Sequence, residues 1–564
     1  MTQSASHPAS LRPADQVMRL KRLGSLHQCR LSFMRILTRR MAREAWTFTR
    51  PTFDIAADGT GHAVYCAHGP DRTYSLVAFA HDLPAEQRSD RVIADAWDAT
   101  FSLFDGVPTA QDITRLSQNV PLQEAGRVSE SELSLSRANR SVRLWDHVVG
   151  ALASGKQPDP EQLARVGYLM RTTAVYGSGK FGAADRDVIA NRPELAAPFQ
   201  AEMLSVFLTR AFVRDLVDHA AKIKGADTAI ALEDNIARQL GIGNSTGLGM
   251  APFIINHPML FNNWILTREQ AILRIRDIPQ ATPQEIAQFL DLFARSEQSV
   301  AAWQSQHPIQ VEKLAALHAD LAALRGYLFA HDLTAERPWD HLVKWCEQNL
   351  TEEGQELITS LIMEPYGDLV DSLEPGLSDS DTGAHQIDGN MTVSALSDLI
   401  ETRFGWALAL DWADPQNQAR TWYVSAEKLE PRIGSRFDEP IEDYEQPLAP
   451  ARDAARAYHD LQSLDQSASV AEFLLNHPQH RHTVRRAQIS AKAPYSEVQD
   501  NTISDDILPI DMLRAKLSFF GATHFDPRSD RWVRICMFKN APYPKDLSTE
   551  NADFWVYPAL ETSS

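Results

Sequence analysis

The sequence predicts an α+β protein, predominantly α-helical, with a central helical domain and antiparallel β-hairpins near both termini. Two patterns predict it: long stretches with apolar residues at three- and four-residue steps, and three pairs of β-prone runs around Pro-containing turns near the two ends. At 564 residues, with 44% hydrophobic and 23% charged, the chain exceeds one core and has the composition of a globular protein. Its expected divisions are 1–115 (a basic helix plus a hairpin), 116–362 (a helical domain with glycine-rich loops) and 363–564 (an acidic linker, then helix–hairpin units).

Charge separates the first element from the rest. Residues 1–50 hold ten Lys/Arg against Asp15 and Glu44, so of the net charge of −19 the remainder carries −27. A body so acidic repels phosphate backbones, and no nucleic-acid partner is expected. Apolar Leu20, Leu23, Leu26, Leu31, Phe33, Met34 and Leu37 lie among these arginines. The segment reads as a basic helix clamping its own acidic body or a neighbouring subunit, with a membrane-surface helix as the alternative.

The first hairpin pairs His62–His68 with Thr73–Ala80 around Gly69-Pro-Asp-Arg72. Helices are expected at Ser136–Ser141, Glu161–Met170 and Ala229–Leu240, the first setting Arg137 and Arg140 one turn apart on one face. Thr282-Pro-Gln-Glu285 is a capping box with Pro at the first helical position. Beyond His307-Pro308, Leu314, Leu317, Leu321, Leu324 and Leu328 form a narrow stripe. That stripe suits a helical hairpin, either within the chain or at a homo-oligomer interface. Acidic text rich in Gly, Pro and Ser at 363–395 marks a boundary, and that at 427–450 a surface loop. Two helix–hairpin units follow: 406–412 with 421–425 around Asp414-Pro415, and 519–525 with 531–538 around Asp526-Pro527.

The most informative motif is Gly241-Ile-Gly-Asn-Ser-Thr-Gly-Leu-Gly249, four glycines interleaved with hydroxyl and amide side chains. It lacks the Gly-Lys-Ser/Thr of a phosphate loop and the third glycine of a dinucleotide fingerprint. Backbone amides across Gly243, Asn244, Ser245, Thr246 and Gly247 would suit a nest for a carboxylate or phosphate. A second glycine-rich break, 171–182, supplies Arg171, Ser178 and Lys180 as anion donors, with Arg137 and Arg140 upstream. His257 or Tyr176 is the expected proton-transfer group.

Phe253-Ile-Ile-Asn-His-Pro258 recurs as Phe473-Leu-Leu-Asn-His-Pro478, which reads as a repeated way of ending a helix. The latter opens His477-Pro-Gln-His-Arg-His482. No Cys, Asp or Glu lies in that segment, and Arg481, Arg485 and Arg486 repel cations, so no metal is predicted. His-Asp-Leu at 81–83, 331–333 and 459–461 reads as coincidence. Cys29, Cys66, Cys346 and Cys536 are widely spaced, as suits a reducing compartment. With no signal peptide and no apolar run of spanning length, a cytoplasmic location is expected.

The resulting expectation is a cytoplasmic enzyme acting on a small anionic metabolite. The alternative is a non-catalytic helical oligomerisation protein built on the leucine stripe. No residue pattern names a cofactor.

Overall fold

The computed structural model describes residues 9–557 except 20–21, 23–24, 26, 89–95, 123–125, 173–181, 184–188, 190, 247–257, 304, 378–386, 415–421, 426–430, 434–440, 443–448, 498–513, 515, 530–531 and 554. Its centre is a single mixed sheet, not a helical domain between terminal hairpins, and the expected fold class is corrected accordingly. The strands are β1 (Thr47–Ile55), β2 (Gly61–His68), β3 (Thr73–Ala80), β4 (Ala99–Asp105), β5 (Glu132–Arg140), β6 (Tyr168–Thr172), β7 (Gly182–Ala183) and β8 (Gly241–Thr246). Three short strands form a separate sheet in the order β10-β9-β11: β9 (Trp422–Ser425), β10 (Pro431–Ile433) and β11 (Ile441–Glu442). The main sheet is completed by β12 (His524–Ser529) and β13 (Trp532–Met537).

The main sheet runs β1-β2-β3-β4-β5-β6-β8-β13-β12, with β7 also on β5. Its first and last hairpins are therefore ends of one sheet. All its pairings are antiparallel except β6 with β8, whose crossover contains a long helix. Prolines mark the edges: Pro51 lies at a bulge of β1, and Pro527 at an irregularity of β12. Asp526-Pro527 thus belongs to a strand and not to the turn expected there.

Three other expectations are overturned locally. The segment 136–141 is not helical, because Glu132–Arg140 pairs with β4 and β6. The helix begun at Pro160 stops at Val166, where Gly167 adopts φ 76° and its N–H caps the carbonyl of Leu163, releasing β6. Trp406–Leu408 ends a helix, while Trp422–Ser425 is a strand paired to β10 and β11.

The helices labelled here are α1 (Phe33–Arg43), α2 (Ala110–Asn119), α3 (Trp145–Ala153), α4 (Gln200–Gly225), α5 (Pro258–Arg276), α6 (Pro283–Ala302), α7 (Pro308–Ala330), α8 (Pro338–Asn349), α9 (Glu352–Leu361), α10 (Val393–Leu408), α11 (Ala449–Gln462), α12 (Val470–Asn476) and α13 (Arg481–Lys492). Helix α4, about 39 Å long at 1.5 Å per residue, crosses one face of the main sheet from β2 to β8. On the other face α2 covers Val77, Phe79, Phe104 and Leu135 with Leu116 and Val120.

The predicted capping box forms: Thr282 Oγ1 accepts from the Glu285 N–H at 3.3 Å, and Glu285 accepts from the Thr282 N–H at 2.7 Å. Leu314, Leu317, Leu321 and Leu324 are buried in the chain's own core, where α7 packs on α6 and α9. Helices α10–α13 enclose a smaller core around Leu396, Ile400, Phe404, Ala454, Phe473 and Val484.

Among the described residues of the basic N-terminal segment, Arg12, Arg22, Arg30, Arg35 and Arg39 are buried. Arg12 forks onto Glu269 at 2.7 Å through Nε and Nη2 and donates from Nη1 to Glu356 at 2.9 Å. Arg22 and Arg268 close on the same Glu356 at 2.9 and 2.7 Å. Further along, Arg35 binds Glu364 at 2.5 and 2.7 Å, and Arg30 pairs with Asp371 and Asp553. Burial alone would raise the Glu356 carboxyl, but Arg12, Arg268 and Arg22 hold it down at about 2. Glu364 is likewise held well below the carboxylate range, by Arg35 against the effect of burial.

Candidate anion site on the sheet face

The glycine run does not begin as a loop. Gly241–Thr246 is β8, laddered on one side to β6 and on the other to β13. Its backbone from Gly241 to Thr246 is engaged in strand pairing, so no nest forms at Gly243 or Asn244. The glycines answer to close packing instead. A Cβ at Gly241 would collide with the Met537 carbonyl oxygen. At Gly243 it would meet Arg171 Cγ at 2.6 Å and the Tyr168 ring at 2.7 Å. Asn244 is fully buried and donates to the Thr172 carbonyl at 2.9 Å. The side chains of Ser245 and Thr246 are outside the described residues, as are Gly247, His257, Tyr176, Ser178 and Lys180.

The ladder nevertheless brings several predicted residues together. Ladder partners share a face of a sheet. Thr100 is opposite Arg137, Asn139 opposite Arg171, Arg171 opposite Gly243, and Ser245 opposite Arg534. Arg137, Arg171 and Arg534, from β5, β6 and β13, therefore line one face across strands about 4.8 Å apart. It is the face that α2 covers near Val77, Phe79 and Leu135; two residues further along each strand it turns polar, to His81, Thr100 and Arg137.

Each group is held by recognisable chemistry. The Arg137 guanidinium lies 4.0 Å over the Trp97 ring, and burial pushes it down to about 10. Arg140 does not accompany it, because an odd spacing on a strand puts the two on opposite sides. It stacks over Trp145 at 4.7 Å and lies 3.5 Å from Asp98. The fully buried Asp98 also pairs with Arg88 at 3.1 Å and accepts the Arg140 backbone N–H at 2.9 Å. Burial raises the Tyr168 phenol above its ordinary value although the charges of Arg534, Arg171 and Arg143 pull the other way.

Among the described residues, the Tyr168 hydroxyl, the Trp97 indole N–H and the Asn139 amide nitrogen have no hydrogen-bond partner. Buried donors without acceptors are uncommon in native proteins, and several beside clustered guanidiniums fit a site completed by an acceptor-rich anion.

Sequence reasoning missed Tyr168, Arg534 and His81. His81 lies 3.1 Å from Thr100 Oγ1, and burial lowers its pKa below 6.5 despite the field of Asp98, so its imidazole is neutral at pH 7. The carboxylate acting on His81 is Asp98, across the ladder. Elsewhere a cavity of about 410 Å³ opens between α7 and α8, lined by Tyr327, His331, His341, Lys344 and Trp345, and contains none of the predicted site residues.

Neither a family model, a curated protein nor a solved structure matches this chain.

Proposed function

We propose that the protein is an enzyme acting on a small anionic metabolite, carboxylate- or phosphate-bearing, held on the Arg137–Arg171–Arg534 face of the sheet. The convergence of three guanidiniums from three strands on one buried face carries this reading. Guanidiniums there are strong recognition groups, since their planar forks match carboxylate and phosphate oxygens and a dry surrounding strengthens each contact. His81, neutral and bordering the stripe, joins His257 and Tyr176 as a proton-transfer candidate. Ser178, Lys180 and Gly247 stay candidate anion donors on residue type alone.

A cytoplasmic setting is part of this proposal, supported by four cysteines that are all buried thiols. No helix of the described residues is long and apolar enough to cross a membrane. The oligomerisation alternative has less support, because the leucine stripe is engaged within the chain.

Titration calorimetry against inorganic phosphate, a dicarboxylate and a nucleotide tests the reading. One class should saturate, and Arg171→Ala or Arg137→Ala should weaken it at least tenfold, while Arg325→Ala, an exposed arginine paired with Glu297, should not. No saturable binding by any class, or equal affinity in all three variants, would sink the proposal.

A further inference from the structure

The histidine-rich segment 477–482 acquires in three dimensions the acidic group it lacks in sequence. Asp460, in the last turn of α11, projects to the turn that joins α12 to α13. Its Oδ2 lies 2.7 Å from His480 Nε2 and 3.7 Å from His477 Nδ1. One donor atom from each of the three residues lies within 4.8 Å of the others.

Both imidazoles pack on one phenyl ring. The His480 ring stacks on Phe473 at 7° with centroids 5.7 Å apart, and the His477 ring stacks on the same phenyl at 5.2 Å. Phe473 belongs to the α10–α13 core, so both imidazoles are positioned by packing. His480 is itself buried, only 6% exposed, whereas His477 and Asp460 remain about a third open to water at 28% and 34%.

From this arrangement we propose that Asp460, His477 and His480 bind a divalent transition ion of the zinc type. Two imidazoles and a carboxylate are the ligand chemistry of such ions, with bonds of roughly 2.0–2.2 Å. Tetrahedral bonds of that length separate ligand atoms by about 3.4 Å, a value bracketed by the observed 2.7 and 3.7 Å. The side open to solvent supplies the position for a water, the pattern of an accessible three-ligand site. Of the arginines on this segment, Arg481 is exposed and Arg486 is forked onto Glu497 at 2.8 and 3.0 Å. The second copy of Phe-x-x-Asn-His-Pro thereby gains a role beyond ending a helix. In this one the phenylalanine backs the ligands, and the histidine after the helix is one of them.

Full-length, tag-free protein treated with a chelator should bind one Zn²⁺ per chain by calorimetry, and Co²⁺ should give intense visible ligand-field bands. Asp460→Asn and His477→Ala should each weaken Zn²⁺ binding tenfold or more and alter the Co²⁺ spectrum. His482→Ala, on the same segment but outside the cluster, should do neither. His477 is the primary test because, unlike Asp460, its side chain is not hydrogen-bonded to the buried His480; thermal melting without metal checks that its loss leaves the fold intact. Absence of saturable Zn²⁺ binding overturns the proposal. So does His482→Ala weakening it as much as His477→Ala, or unchanged affinity and spectrum in a folded His477→Ala protein.

Discussion

Gly243 shows how one residue type serves two opposite arguments. Glycine density suggests a backbone that wraps a ligand, yet here it makes room for the Arg171 stem and the Tyr168 ring. Replacing Gly243 by Ala inserts a methyl where neither the root of Arg171 nor a buried ring can retreat. The expected cost is about 1–3 kcal/mol, measured by urea unfolding, and anion affinity should fall with it because Arg171 is displaced. A Gly243→Ala protein as stable as the parent, with unchanged affinity, would mean that this face is not tightly packed. Arg137 and Arg171 were legible from their residue type alone as candidates for the proposed anion site. Arg534 and Tyr168 were not, since nothing in a linear sequence marks residues that meet only through ladder register. Asp460 was missed for the same reason: it is 20 residues from His480 and reaches it only when α11 folds against the turn.

Among elements, those whose signal is local were readable and those whose signal is non-local were not. The capping box at Thr282 and the leucine steps of α7 describe contacts within a turn or along one helix face. The strand β5 reads Glu-Leu-Ser-Leu-Ser-Arg-Ala-Asn-Arg, with two arginines at a helix-like spacing, and is extended only because β4 and β6 supply its hydrogen bonds. β8 is harder still, because Gly-Ile-Gly-Asn-Ser-Thr has little intrinsic strand preference and is held by its neighbours on both sides. The leucine stripe carries a test at this scale. Leu317→Ala leaves a void in the packing of α7 on α6 and α9 and should cost about 2–5 kcal/mol with no change of mass by light scattering. A variant that instead loses an oligomer while keeping its stability would favour the interface reading.

For the molecule as a whole, the unequal distribution of charge is the organising fact. The arginines of the first forty residues meet the acids of α5, α9 and the segments beyond, and Glu356 is shared by Arg12, Arg22 and Arg268. A carboxylate held at about 2 in the folded chain and at 4.5 in the unfolded one contributes stability that is complete above pH 4.5. That contribution is lost as pH falls towards 2. Urea unfolding over this range should show the decline, and Glu356→Gln should flatten it while lowering stability at pH 7 by about 3–5 kcal/mol through three guanidiniums left facing a neutral group. An unchanged slope in Glu356→Gln would assign acid sensitivity elsewhere. The same wiring sets an order of events during synthesis. Arg30 closes on Asp553, 523 residues later, and β8 receives its second neighbour only when β13 has been made. The N-terminal arginines therefore leave the ribosome long before their acids exist, and the sheet stays one strand pair short until β12 and β13 emerge. Completion of this fold is a late event, and a nascent chain exposes a cationic arm and then an unpaired glycine-rich edge while it waits for its partners.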